Sequence, residues 1–80
     1  MHYVYFLRSQ RDPSKTYIGM TDDLRARFGQ HNDGSSFHTA KYRPWDLVGY
    51  VALADRQRAA ALERYLKTGS GHAFAKRHLW

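Results

Sequence analysis

The chain contains no cysteine, which excludes disulfides and thiolate zinc sites and leaves the redox compartment open. No run approaches the roughly 20 apolar residues that a membrane span needs. Met1-His2 leads straight into a strand pattern, so no secretory leader is read, and a cytoplasmic location is the default expectation. Repeats, low-complexity segments and linkers are also missing. The five histidines follow no metal-binding spacing. Acids are scarce: 7 Asp and Glu stand against 13 Lys and Arg, for a formal charge of +6. That imbalance points to a polyanionic partner, most often nucleic acid, although a basic but otherwise ordinary surface has the same composition. Glutamate is nearly absent, with Glu63 standing alone.

Aromatic residues are plentiful at 15%. Six tyrosines outnumber four phenylalanines, and tyrosine carries a polar tip along with its packing area. Eighty residues suit one domain, residues 1–80, around one modest core. Tyr3-Val4-Tyr5-Phe6-Leu7 is a β-branched and aromatic run with apolar residues on both faces, as in a central strand covered on both sides. Asp12-Pro13-Ser14 marks a turn, after which Thr16-Tyr17-Ile18 returns antiparallel. Gly19 is expected to turn the chain into a helix over about Asp22–His31. Thr21, Asp22 and Asp23 would supply its cap, and its N-terminus a favourable place for phosphate. Asn32 to Ser36 ends that helix. Phe37 to Arg43 is irregular and polar. Trp45 to Leu53 follows Pro44 as a third strand. Asp55 caps a second helix, Arg56 to about Lys67, which Gly69-Ser70-Gly71 is expected to break. His72 to Leu79 then closes the chain as a short helix anchored by Phe74 and Leu79. The order β-β-α-β-α-α gives an α/β fold of the α+β type, a three-stranded, mainly antiparallel sheet flanked by helices.

Several residues lie where chemistry is possible. At roughly 100° per residue, the apolar face of the first helix centres between Leu24 and Phe28. His31 falls close to that face and Arg27 at its edge, one turn away, while Arg25 points elsewhere. Arg27 either covers core surface with its stem or reaches over the sheet to an anion. His31 is either a general base or a helix-terminal histidine favoured by the dipole. Most aspartates sit at turns or caps. Glu63 lies at the edge of the stripe formed by Ala59, Leu62 and Leu66. It is either salt-bridged or a ligand for a cation such as Mg²⁺. Tyr3 and Tyr5 share one strand face, with Tyr17 on the neighbouring strand. A tyrosine beside a cation can act as a base, or it can simply be core. Lys41, Tyr42, Arg43 and Trp45 form a basic and aromatic group suited to a nucleic-acid backbone and its bases, or a solvated loop.

Tyr3-Val4-Tyr5, Tyr17-Ile18-Gly19, Arg27 ten positions after Tyr17, and a single later Glu63 together resemble the GIY-YIG nuclease family. The resemblance covers essentially the whole chain. It is nearest to small single-domain bacterial members, through Thr21 to Asn32, Lys41 to Trp45 and Gly69 to Gly71. It implies a divalent-metal-dependent endonuclease acting on DNA, with Mg²⁺ or Mn²⁺ as cofactor and branched or damaged DNA as a possible target. Carried over by position, Tyr5, Tyr17, Arg27, His31 and Glu63 are the catalytic set, with Glu63 the metal ligand. Arg25, Lys41, Tyr42, Arg43, Lys67 and Lys76 are the expected nucleic-acid contacts. Two positions depart from the family pattern. The first motif reads YVY, and Met20 follows YIG where some relatives carry lysine. A nucleic-acid-binding module with little or no catalysis is therefore the alternative, and a protein-interaction domain on the same scaffold a third. Monomer and dimer remain open.

Overall fold

β1, His2–Ser9, lies at the centre of the sheet because its side chains are wanted on both faces. The computed structural model describes residues 1–80. β2 is Thr16–Thr21 and β3 is Trp45–Leu53; both pair antiparallel with β1, in the order β2-β1-β3. Val4, Tyr5, Phe6 and Leu7 are all buried, and the period of two divides them between two layers. Val4 and Phe6 pack against Ala59, Leu66 and Ala75 of two helices, α2 (Arg56–Leu66) and α3 (Gly69–His78). Tyr5 and Leu7 pack with Trp45 on the opposite face, beneath Leu24 and Phe28 of α1 (Leu24–Asp33). The α+β class and the order β-β-α-β-α-α thus stand as read from the sequence. No helix is long and apolar enough to cross a membrane.

Gly19 does not turn the chain. β2 continues through it to Thr21, and Gly19 pairs with Tyr5. α1 accordingly starts two residues later than expected and runs two further. Asp23 is its N-cap: the Asp23 carboxylate accepts from the Ala26 amide at 3.1 Å, and the Asp23 amide donates to Thr21 Oγ1 at 3.1 Å. The helix end is therefore already served by an anionic side chain and is not the phosphate cradle the sequence suggested. α1 ends at Gly34, whose φ of +85° is a left-handed C-cap conformation that glycine adopts at little cost.

The return to the sheet is pinned by Asn32. Its side chain donates to the Trp45 carbonyl at 3.1 Å and accepts from the Trp45 amide at 2.6 Å. The Trp45 indole donates to the Thr39 carbonyl at 2.9 Å. The intervening segment holds a short 3-10 turn at Ala40–Tyr42.

Gly69-Ser70-Gly71 does not interrupt the helical region but opens α3. Thr68 Oγ1 caps it by accepting from the Gly71 amide at 3.2 Å. A side chain at Gly71 would run into the backbone carbonyl of Tyr65, so glycine is what lets α3 pack directly on α2. Phe74 is not an anchor, being 44% exposed; the core position goes to Ala75. Leu79 does pack on the core, and Trp80 closes over Phe6 edge to face at 5.7 Å.

Candidate active site

The pairing of Tyr5 with Gly19 makes room for a phenol. A Cβ at position 19 would occupy the space of the Tyr5 hydroxyl end. Directed over the glycine, that hydroxyl lies 2.8 Å from Nε2 of His31, which is fully buried in the last turns of α1. His31 Nδ1 lies 2.6 Å from Thr39 Oγ1, and Thr39 Oγ1 donates to the Ser36 carbonyl at 3.4 Å. A threonine hydroxyl has one proton. With that proton on Ser36 O, Oγ1 accepts from Nδ1–H, which leaves Nε2 bare to accept from Tyr5. With the threonine proton so placed the chain runs from Tyr5 through His31 and Thr39 to the backbone; with Thr39 donating to Nδ1 instead, Nε2–H would donate to Tyr5.

Electrostatics hold both members of the pair in their neutral forms. Burial, helped by the Arg27 charge, pushes His31 down to about 4, so the imidazole is neutral. A neutral imidazole gains little from the helix dipole. Burial pushes the Tyr5 phenol up to about 12, with Tyr17 and Glu63 adding to the rise and Arg27 opposing it. Tyr5 thus keeps its proton.

Tyr17 stands on the same sheet face, its ring 5.0 Å from the His31 ring and 6.2 Å from that of Tyr5. Unlike the other two, it is only partly buried. Arg27, one turn before His31, donates to Gln30 Oε1 at 2.9 Å and to Ser36 Oγ at 3.5 Å. Both partners are neutral, and the chain's two ion pairs, Arg58–Asp55 and Lys67–Glu63, leave Arg27 without an acid. A partly buried guanidinium with no anion is ready to receive one.

Glu63 comes from the other helical layer, yet its charge is felt at the Tyr5 hydroxyl. Lys67 Nζ lies 3.2 Å from Glu63 Oε2 and 5.9 Å from the centre of the Tyr17 ring. No three His, Asp or Glu side chains cluster as a metal cage. One carboxylate is what a hard cation of the Mg²⁺ kind takes when waters and a substrate phosphate complete its shell. The donor set fits such an ion and does not fit a metal held by protein alone.

The structure thus brings Tyr5, Tyr17, Arg27, His31 and Glu63 together and adds Lys67 to them. Tyr42 packs on the same Tyr5–Trp45 cluster as Tyr17. Lys15 and Lys41 hold their ammonium groups 5.5 Å and 5.4 Å from its ring, and the Arg43 guanidinium lies against Gly34. Lys76 is exposed on α3, one turn beyond His72, which lines a cleft with Tyr17 and Lys67. Arg25 stands apart: it lines a groove with Tyr3, Asp22, Asp23 and Tyr50. The two aspartates make that groove a poor place for phosphate, so the expected nucleic-acid contact at Arg25 has no support in the geometry. Thr39 and Ser36 escaped the sequence reading. Neither belongs to a regular element, and their segment returns to His31 after the left-handed turn at Gly34.

A buried Tyr–His pair, an arginine without an acid and one carboxylate, gathered about the β1–β2 edge of a small α+β fold, define a compact catalytic domain. The GIY-YIG catalytic domain model matches residues 1–76, and the chain belongs to that family. It is 37% identical to the structure-specific endonuclease subunit SLX1 of Candida dubliniensis, over 95% of this chain and 28% of that protein. It is 42% identical to the SLX1 protein of Talaromyces stipitatus over 59% of this chain and 13% of that one. A UPF0213 protein of Lacticaseibacillus paracasei is 37% identical over 70% of this chain and 64% of its own length. The chain thus spans well under a third of these fungal relatives.

Proposed function

We propose that residues 1–80 form a divalent-metal-dependent endonuclease domain that hydrolyses phosphodiester bonds in DNA, with flaps and branched junctions as its favoured substrates. The observation that carries this reading is the placement of Arg27, without an acid partner, beside a Tyr5–His31 pair whose phenol also feels the charge of Glu63. The family membership and the names of the fungal relatives support it. A cytoplasmic setting goes with this reading.

Each residue then has a part that its surroundings suit. Arg27 receives the scissile phosphate and offsets the charge that grows on its oxygens during attack. Tyr17, the more exposed tyrosine, orients the attacking water. The chain from Tyr5 to His31 accepts the proton: the Tyr5 oxygen takes it as its own proton passes to Nε2, giving a neutral phenol and an imidazolium. An imidazole held near 4 is a weak acceptor in the free protein. An arriving phosphate raises its basicity, both directly and by neutralising Arg27. Glu63 would hold Mg²⁺ or Mn²⁺. When bound, such an ion would supply positive charge to the phosphate and acidify water. Lys41, Tyr42, Arg43, Lys67 and Lys76 contact the nucleic-acid backbone.

The experiment is cleavage of labelled flap, four-way junction, duplex and single-stranded DNA, with Mg²⁺, with Mn²⁺ and with chelator. The wild type is expected to cut in a metal-dependent way, while Glu63→Ala and Arg27→Ala do not cut and keep the wild-type melting curve. Full activity in either variant removes the proposal. A gel shift without cutting by the wild type would favour the binding module, and Met20 makes that alternative specific, since its side chain packs toward the Val4–Phe6 core.

A further inference from the structure

A glutamate and a lysine one turn apart on a helix usually form a solvated pair of little consequence. The pair on α2 is different in three respects. The Lys67 ammonium is 3.2 Å from Glu63 Oε2 and also sits over the Tyr17 ring at 5.9 Å, so it bridges two members of the site from opposite helical and sheet layers. The two side chains are unequally held: Glu63 is 24% exposed and Lys67 52%, which makes lysine the member free to move. The carboxylate it covers is the one whose charge reaches Tyr5.

Met20 sharpens the point. The residue after Tyr17-Ile18-Gly19 points to the opposite face of the sheet, where it packs near Val4 and Phe6. The strand itself therefore brings no cation to Tyr17. α2 does.

We propose that Lys67 is the resident counter-ion of the site. It neutralises Glu63 while no metal is bound, yields the carboxylate to the incoming divalent cation, and turns its ammonium onto a phosphate oxygen beside Tyr17. The inference rests on the nuclease reading above. A half-buried carboxylate is costly without a partner, and a lysine is a point charge on a flexible four-carbon stem that can leave one anion for another nearby. There is space for the move. Thr16, Tyr17, Ile18, Leu66, Lys67 and His72 line a cleft of about 340 Å³ next to the pair, and none of these residues is acidic. The displaced ammonium would find no other carboxylate there, only a bound phosphate.

Two effects of opposite sign follow. Without the ammonium, metal no longer competes for Glu63 and binds more tightly. Without the ammonium, the phosphate loses a contact and cleavage slows. A plain backbone-gripping lysine would change KM and leave metal affinity alone. A plain structural salt bridge would lower the melting temperature and leave kcat alone.

The test titrates Mn²⁺ into the full chain without DNA, reading free Mn²⁺ by electron paramagnetic resonance, for wild type, Lys67→Met and Lys67→Arg. Melting curves serve as the fold control. Lys67→Met is expected to bind Mn²⁺ about two- to five-fold more tightly, the range that loss of such an ion pair implies, while Lys67→Arg stays near wild type. Single-turnover cleavage of a DNA flap at saturating Mn²⁺ is expected to slow at least about tenfold in Lys67→Met, a factor worth roughly 1.4 kcal/mol, with partial recovery in Lys67→Arg. Unchanged or weaker Mn²⁺ binding in Lys67→Met overturns the proposal, and so does an unchanged single-turnover rate. Tighter Mn²⁺ binding in Lys67→Met with no cleavage by any of the three proteins keeps the counter-ion and rejects the nuclease.

Discussion

His31 is neutral because of where it lies, and this has measurable consequences at the scale of one residue. Its value of about 4 in the folded chain stands below the 6.5 of an ordinary histidine. As pH falls below about 6.5 the unfolded chain takes up a proton that the folded chain refuses, so stability declines, and the decline ends near 4. Thermal melts between pH 7 and 4 are expected to show this loss, and His31→Gln is expected to flatten it. An equal slope in both proteins would place the titrating group elsewhere. Thr39 offers a second check. Thr39→Val removes the acceptor that holds Nδ1–H, whereas Thr39→Ser retains it. Nitrogen-15 NMR of the histidine rings should find the Nδ1–H tautomer at His31 in the wild type and in Thr39→Ser, and a mixed or inverted tautomer in Thr39→Val. The acid limb of kcat/KM, which reports the free protein, is expected near pH 4 in the wild type and displaced in Thr39→Val only. The sequence placed His31 correctly on the wheel of α1. It did not reveal the partner that decides which nitrogen is bare, because Thr39 reaches it through a loop with no periodicity.

At the scale of elements, glycine separates what local pattern can foretell from what packing decides. β3 matched its expected limits of Trp45 and Leu53 because Pro44 and the Asp55 cap mark its ends in sequence. Gly19 and Gly69-Ser70-Gly71 read locally as breaks, yet both lie inside regular elements, and at Gly19 and Gly71 a missing side chain serves close approach. A neighbour distant in sequence sets that need, so it leaves no local signal. Gly71→Ala tests the second case. The new methyl meets the Tyr65 carbonyl, backbone that cannot swing aside, so α3 must move off α2. A loss of about 1–3 kcal/mol is expected by chemical denaturation, with Ser70→Ala nearly neutral as its exposed neighbour. Gly19→Ala tests the first. Here the obstacles are side-chain atoms, the far end of Tyr5 and the ring edge of Tyr17, which can shift where backbone cannot, so the chain should still fold with about 1 kcal/mol lost with the hydrogen bond to His31. Cleavage should fall much further, by about 100-fold, as displacement of reacting groups by an ångström does. Equal loss of fold and activity would show that the glycine serves packing alone.

The molecule as a whole carries its charge unevenly in a way that suits one long anion. Lys15 and Lys41 gather about Tyr42, on the cluster that also holds Tyr17, with the Arg43 guanidinium against Gly34, while Lys67 and His72 line a cleft with Tyr17. Asp22 and Asp23 lie with Arg25 in a separate groove. DNA binding is expected to weaken steeply with salt, because each phosphate contact releases counter-ions. Lys41→Ala and Arg43→Ala should each reduce the slope of log K against log salt by about one, and Arg25→Ala should leave it unchanged. Affinity measured from 50 to 200 mM salt decides this, and an Arg25 effect equal to that of Lys41 would redraw the track. The basic balance was plain from composition. Its separation from the groove that holds Asp22 and Asp23 was not, because that depends on which face of α1 meets the sheet.

The contact between Tyr5 and Gly19 has one more consequence. In a hairpin, a slip of a single residue would bring Ile18 or Met20 opposite Tyr5 in place of glycine, and either would obstruct the phenol's path to His31. The pair therefore acts as a gauge of alignment. A chain that zips its first two strands wrongly cannot assemble the chemistry, so an active molecule is by construction a correctly registered one.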